Sequence, residues 1–148
     1  HSEITTSKRE YQEGSAEYKT GVTQTRPLVN QAPHTANLSL LYKDTENGWN
    51  GQLAASYTGT KLALVSPFKD ADQWDKAMFG LDLSAEKQFK NGLSIFLKAN
   101  NLLDAKRERY LKTVNESNLQ YEGQKSDKTI VGTYQYGRTF LLGVRYKL

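Results

Sequence analysis

Apolar and polar residues alternate along the C-terminal segment, residues 137–148. The apolar or aromatic row comprises Phe140, Leu142, Val144, Tyr146 and Leu148. The opposite row comprises Thr139, Leu141, Gly143, Arg145 and Lys147. An apolar row backed by a mostly small or basic row is typical of a wall between lipid and water. Tyr136 and Tyr146 lie ten residues apart, and on a tilted strand that length spans roughly 25 Å, the height of the apolar band between two aromatic girdles. We therefore expect the last strand of an outer-membrane β-barrel.

The same alternation predicts about six strands, separated by connections of unequal length. The predicted strands are residues 1–11, 35–43, 49–58, 79–89, 93–100 and 136–148. Asn47-Gly48 and Asn91-Gly92 are strong signals for tight hairpin turns, whereas the other connections are long and polar. Bacterial outer-membrane barrels alternate short periplasmic turns with long outer loops in this way. The pattern therefore predicts an all-β fold of antiparallel transmembrane barrel strands.

Aromatic residues lie at both ends of the predicted outward rows. If the Asn-Gly turns are periplasmic, the periplasmic rim carries Tyr42, Trp49, Phe89 and Tyr146. The outer rim then carries Tyr57, Phe79 and Tyr136. Two such rims form the girdles of a transmembrane barrel, whereas a soluble β-sandwich has no reason to place aromatics at both ends of an exposed face. We expect the polar inner rows to face a water-filled or plugged lumen.

The amino-acid composition further restricts the class of protein to which the chain can belong. Hydrophobic residues make up 37% of the chain and charged residues 24%, and no stretch approaches the roughly 20 apolar residues of a membrane helix. Alternating strands remain compatible with these values because polar residues dilute the apolar ones. The chain contains no cysteine, which excludes disulfides and thiolate chemistry. The net charge of +4 is spread along the sequence, so no nucleic-acid partner is expected.

The number of predicted strands is too small for a closed barrel. The smallest such barrels have about eight strands, and an open edge in hydrocarbon leaves backbone groups unpaired. Either further strands lie in the long connections, or the chain is the C-terminal part of a larger barrel. The chain begins at His1 without a signal peptide, and its opening segment is typical of mid-barrel sequence. We favour the larger barrel.

Two stretches near the C-terminus carry a family resemblance: Lys98-Ala-Asn-Asn-Leu-Leu-Asp104, and Gly137-Arg-Thr-Phe140 at the start of the last strand. Further matching stretches are Arg26-Pro-Leu28, residues 32–42, Asn47-Gly-Trp49, Tyr57-Thr-Gly59 and residues 83–89. Over essentially all 148 residues the chain resembles the C-terminal quarter of a TonB-dependent outer-membrane receptor of Bacteroides-like bacteria. The resemblance implies a 22-stranded barrel with an N-terminal plug and a TonB-binding segment, neither of which lies in residues 1–148.

The resemblance also implies function and partners. The expected function is uptake of a large scarce nutrient: a siderophore, a cobalamin-like cofactor, an oligosaccharide or a peptide. Expected partners are the rest of the barrel and its plug, outer-membrane lipid, the barrel-assembly machinery, a surface lipoprotein, and TonB through the plug alone. Gly143, Tyr146 and Leu148 match the assembly signal of related proteins. Leu148 departs from the usual terminal Phe, and Leu141 stands where a polar residue is common.

Candidate ligand-contacting residues lie in the long connections. Asp70-Ala-Asp72-Gln-Trp-Asp75 is a weak match to a calcium loop because it lacks the Gly and terminal Glu; a solvated loop is the expectation, with no metal. Trp74 could stack on a ligand, anchor an interface or pack on a neighbouring loop. The last connection supplies Tyr110 and Tyr121 among charges of both signs. The predicted ligand-binding set is Trp74, Asp72, Asp75, Tyr110 and Tyr121.

Enzymatic activity is not expected. His1 and His34 are the only histidines, and neither has a patterned Ser or Asp partner for a triad or a zinc site. Asp82 and Glu86 lie on one inner row. The opposing cations Lys98, Arg145 and Lys147 favour a structural charge network. No cofactor is predicted. The alternative function is a self-contained eight-stranded outer-membrane barrel with a structural or adhesive role.

Overall fold

The computed structural model describes residues 2–11, 17–111 and 129–147. These residues form an all-β structure of eleven strands. The strands are β1 (Glu3–Tyr11), β2 (Tyr18–Pro27), β3 (Thr35–Asp44), β4 (Trp49–Thr58), β5 (Lys61–Leu64), β6 (Gln73–Asp75), β7 (Met78–Gln88), β8 (Leu93–Asn100), β9 (Lys106–Leu111), β10 (Thr129–Gln135) and β11 (Thr139–Tyr146). The all-β prediction is confirmed, and each of the six predicted segments contains a strand.

The chain divides into two compact units. The five-strand unit comprises His34–Thr58, Met78–Lys106 and Gln135–Leu148. The six-strand unit comprises His1–Pro33, Gly59–Ala77 and Arg107–Tyr134. Each unit is built from its own sheets.

The five-strand unit is one antiparallel sheet with the strand order β11-β8-β7-β4-β3. No register shift interrupts its strand pairs, so the period-two rows line up across the whole sheet. One such row is Leu40, Leu53, Leu83, Ala99 and Phe140. The predicted outward residues therefore share one face, and the predicted inward residues share the other.

Tight turns join β3 to β4 and β7 to β8 at one end of this sheet. Gly48 and Gly92 have φ values of 71° and 85°, which glycine adopts without steric cost. A Cβ at Gly48 would overlap the carbonyl oxygen of Gln88, and one at Gly92 would lie 2.6 Å from the carbonyl oxygen of Lys147. The two Asn-Gly turns therefore need glycine for space as well as for φ. Residues 59–77 and 101–138 leave and re-enter the sheet at its other end.

The five-strand unit has only one layer. Among its described residues only Ser94 and Ala99 are buried. Within the part of the chain that the structure describes, no sheet closes on itself, and β3 and β11 are the edges of this sheet. Because both faces and both edges are open, the sheet lacks the second layer that ordinarily stabilises a domain in water.

The six-strand unit shows that the segments predicted as long connections contain strands. It contains a β1-β2 hairpin and a sheet of order β10-β9-β6-β5. Further strands in the long connections were one of the two alternatives that the sequence left open. A parallel bridge joins Arg9 of β1 to Phe68, with Arg9 N donating to the carbonyl of Pro67 at 2.9 Å. The expected count of about six strands is therefore too low.

Candidate functional site

The apolar face of the five-strand unit ends in aromatic residues on both sides. At the turn end lie Tyr42, Trp49, Phe89 and Tyr146, all exposed. At the opposite end Tyr57 and Phe79 are direct cross-strand partners, and Tyr136 precedes β11. All three are exposed as well. The predicted girdle residues other than Tyr136, which precedes the strand, thus lie at the two ends of one face, an arrangement that is typical of aromatic belts.

Between these ends the apolar face carries exposed aliphatic side chains. Leu38 is 65% exposed, Leu142 is 71% exposed and Val144 is 65% exposed. Soluble monomers rarely leave a contiguous patch of large apolar side chains open to water. This face therefore needs an apolar medium or an apolar partner.

The polar face of the same sheet has its own hydrogen bonds. Gln52 Nε2 donates to Ser39 Oγ at 2.9 Å, and Asn100 Nδ2 donates to Thr139 Oγ1 at 3.2 Å. Arg145 lies 3.9 Å from Glu86, which is one contact of the predicted charge network, whereas Asp82 accepts a hydrogen bond from the amide of Asn101. A concavity of about 600 Å³ on this side is lined from all five strands. The sheet is therefore concave on its polar side.

Gly143 in β11 makes room for an aromatic ring. It is the cross-strand partner of Phe96, and a Cβ at this position would overlap the Phe96 ring. The Arg145 guanidinium lies 5.8 Å from the centroid of the same ring. Gly143 and Tyr146 of the predicted assembly signal are thus in strand β11, whereas Leu148 lies outside the described residues. Recognition by an assembly machinery stays a prediction.

The two stretches that carry most of the resemblance are joined by hydrogen bonds. Asn101 Nδ2 donates to the carbonyl of Gly137 at 2.8 Å, and Asn101 Oδ1 accepts from the amide of Ala105 at 2.8 Å. Arg138 Nε donates to the carbonyl of Leu102 at 2.9 Å. Asn101 therefore fastens the ends of β8 and β11 together, a role that the sequence pattern did not reveal.

Asp75 in the six-strand unit is a buried carboxylate held by two arginines. It is 2% exposed; Arg107 donates to its Oδ2 at 2.9 and 2.5 Å, and Arg109 donates to its Oδ1 at 3.0 Å. Burial alone would raise the pKa of Asp75, but the hydrogen bonds from the two guanidiniums outweigh burial and lower that pKa below its ordinary value. Asp75 is therefore a structural anion here.

Asp72 is also buried and paired. Its Oδ1 accepts from Lys8 Nζ at 2.6 Å and from the amide of Ser66 at 2.8 Å, and Lys8 is only 3% exposed. This ion pair ties the 66–72 segment to β1. The expectation of a solvated acidic loop is wrong for Asp72 and Asp75, because each carboxylate has a cationic partner from a distant part of the chain.

Trp74 and Tyr110 are cross-strand partners in the six-strand unit. Leu62 is paired with Trp74 on the other side, and Leu62 and Tyr110 are buried. Trp74 therefore lies between Leu62 and Tyr110 in one cross-strand row. This position favours packing of Trp74 against neighbouring segments over exposure to a ligand. Tyr121 lies outside the described residues. Ligand binding by Trp74, Asp72, Asp75, Tyr110 and Tyr121 stays a prediction, and at the two aspartates a ligand would compete with existing ion pairs.

Metal binding finds no geometric support in the described ranges, where no group of three or more His, Asp or Glu side chains could hold an ion. No helix in residues 2–11, 17–111 or 129–147 is long and apolar enough to cross a membrane.

Comparisons with known proteins found no match: no family model, no curated protein and no solved structure matches the chain. The resemblance to TonB-dependent receptors therefore depends on the residues of the chain itself.

Proposed function

We propose that the five-strand unit is part of the wall of a bacterial outer-membrane β-barrel that belongs to a TonB-dependent transporter. The observation that supports this proposal most directly is the two-faced single layer. One face is apolar with aromatic residues at both ends, and the other is polar and concave. Lipid would cover the first face, and water or a plug would meet the second.

Connection lengths support an orientation for this wall. Short turns lie at one end of the sheet, and two long excursions leave from the other. In outer-membrane barrels the short turns are periplasmic and the long loops face the outside. In this orientation the long connections that join the strands at the second end, residues 59–77 and 101–138, would be the outer loops of the barrel.

The two open edges support a larger barrel. Five strands are too few to close, since the smallest barrels have about eight. The additional strands of the described residues pair in other sheets and leave β3 and β11 open. This pairing argues against the alternative of a self-contained eight-stranded barrel, in which strands from the long connections would complete this sheet.

The wall assignment is tested by placing the same charge on adjacent residues of β3. Leu40 belongs to the apolar face and is 61% exposed, whereas Leu41 belongs to the polar face and is 78% exposed. In lipid, Leu40→Arg should cost about 2–4 kcal/mol and Leu41→Arg should cost little. The measurement is the yield of folded, heat-modifiable protein in the outer membrane. Equal yields for the two variants would contradict a lipid-covered apolar face.

Transport is tested in energised cells. Deleting the gene that encodes the chain should reduce uptake of one of the four candidate nutrient classes: siderophores, cobalamin-like cofactors, oligosaccharides or peptides. Dissipating the proton-motive force should reduce wild-type uptake to the same level. Uptake of all four classes that is unchanged by deletion would contradict the transporter assignment and leave a structural barrel.

A further inference from the structure

Lys87 is a cation on the apolar face, at the end with the tight turns. Its cross-strand partners are Trp49 and Ile95, both on that face. Its ammonium lies 4.8 Å from the centroid of Trp49 and 5.8 Å from the centroid of Phe89, and it donates to the carbonyl of Asn47 at 2.5 Å. The side chain thus reaches along the aromatic end toward the turn.

Nearby carboxylates do not neutralise this charge through a direct ion pair. Among the described residues no carboxylate pairs with Lys87 within 4.0 Å. Asp44 accepts hydrogen bonds from the backbone amides of Glu46 and Asn47 and from the Asn47 side chain, so its carboxylate is engaged within its own turn. Glu86 belongs to the polar face, beside Arg145. Lys87 interacts electrostatically with Asp44 without a direct ion pair, and one of its donors is used by the Asn47 carbonyl. Its remaining donors meet no carboxylate within 4.0 Å among the described residues, so an external anion can approach them.

Two depressions meet at this lysine. A groove of about 460 Å³ on the apolar face is lined by Trp49, Ala85, Lys87, Phe89, Ile95 and Leu97, and also by Glu86. A second concavity of about 370 Å³ is lined by turn residues 45–48, which include Glu46, and by residues 87–90, which include Lys87 and Lys90. Lys87 and Phe89 line both. An apolar groove thus runs into a polar, lysine-bearing recess, which matches the division of a phospholipid into acyl chain and headgroup.

We propose that this surface binds an anionic glycerophospholipid, with its phosphate at Lys87 and Lys90 and an acyl chain along the groove between Trp49 and Ile95. The proposal rests on the proposed membrane location of the apolar face. Lysine attracts anionic lipid headgroups, and indole and phenyl rings prefer the boundary between headgroups and hydrocarbon. The site selects lipid by charge as well as by apolarity.

The test uses Trp49 fluorescence in the full-length protein. The described chain has two tryptophans, so a Trp74→Phe background isolates Trp49, with any tryptophan outside this chain replaced in the same way. The protein is reconstituted into vesicles of phosphatidylcholine that contain either brominated phosphatidylglycerol or brominated phosphatidylcholine, since bromine quenches tryptophan on contact. Lys87→Met removes the charge. Lys98→Met makes the same change on the polar face and serves as the matched control.

From the quenching of Trp49, we expect an apparent affinity for brominated phosphatidylglycerol about fivefold higher than for brominated phosphatidylcholine. This factor corresponds to the attraction of one lysine to an anionic lipid surface. Lys87→Met should lose most of this preference, and Lys98→Met should keep it. Equal quenching by both lipids in the wild type, or a preference that survives in Lys87→Met, would overturn the lipid site while leaving the membrane location intact. Absence of quenching by either lipid would overturn the proposed function itself.

The salt dependence of the lipid preference in the wild-type protein is a second test, and it does not require any variant to fold. Raising the ionic strength from about 0.01 M to about 1 M shortens the screening length from about 30 Å to about 3 Å. The preference for phosphatidylglycerol in the wild type should then fall toward unity, while total quenching stays constant. A preference that salt leaves unchanged would contradict recognition by Lys87 and Lys90.

Discussion

Asp75 shows how distant partners decide the environment of a single side chain. The sequence places it in an acidic, polar segment, for which solvent exposure is the natural expectation. Arg107 and Arg109, which follow more than thirty residues later, enclose it instead. No local pattern specifies such a pair, because burial of a charge depends on which strand becomes its neighbour. By contrast, the face of each residue in the five-strand unit was predictable, since period two alone determines it.

The lowered pKa of Asp75 gives a pH prediction. A carboxyl whose folded pKa is depressed contributes stability above its unfolded pKa of about 3.9, and the contribution is lost as pH falls through the folded pKa. Amide protection in β6 and β9, corrected for intrinsic exchange, should therefore stay constant from pH 7 to about 5 and decline below about 4.

Asp75→Asn is the control for this decline. This substitution leaves two arginines without their anion, so protection in β6 and β9 should be lower at neutral pH. The loss should be limited to about 2 kcal/mol because the partly exposed guanidiniums regain some hydration. The difference between the variant and the wild type should vanish at low pH. A difference that is independent of pH would show that Asp75 acts through packing and not through its charge.

At the scale of elements, the strands that alternate were predictable and those that do not alternate were missed. Tyr18–Pro27 is dominated by Thr, Lys, Gln and Arg, so no apolar row reveals it. It is a strand because its backbone pairs with β1 from Glu3↔Pro27 onward. β5 and β6 are only four and three residues long, which is below the length at which periodicity can be recognised. These elements depend on pairing, and pairing is a tertiary property.

The junction at Asn101 yields an element-scale prediction. Asn101→Ala removes the hydrogen bonds to Gly137 and Ala105 and places alanine at φ 54°, where asparagine is better tolerated. We expect a loss of about 1–3 kcal/mol in the free energy of unfolding, measured by denaturant titration in detergent. Asn100→Ala, which removes one exposed bond to Thr139, should cost less than about 1 kcal/mol. Equal losses would contradict the role of Asn101 as the fastening residue.

At the scale of the whole molecule, the neighbours of β3 and β11 decide the architecture. The sequence predicted the order of hairpins within the five-strand unit, because tight turns make consecutive strands neighbours. The predicted closure into a barrel remains a proposal because the partners of the two edges do not follow from any pattern in residues 1–148.

Denaturing mass spectrometry of the detergent-solubilised protein tests this proposal. We expect a polypeptide several tens of kDa larger than the 16.7 kDa of residues 1–148, or a second polypeptide that co-purifies, because additional strands have to cover both edges. A folded, heat-modifiable sample that contains only the 16.7 kDa chain would contradict the larger barrel and support a small closed one.

The open edges and the exposed apolar face make the five-strand sheet prone to aggregate in water. In water, an unpaired strand edge can form backbone hydrogen bonds with another chain. Segments rich in aromatic, β-branched and aliphatic residues aggregate by such edge-to-edge pairing. The sheet of β3, β4, β7, β8 and β11 would expose two open edges and an apolar face to water if it formed outside a membrane. If this sheet is the proposed barrel wall, we expect the chain to require a holding chaperone that keeps it unfolded until the sheet forms in the membrane.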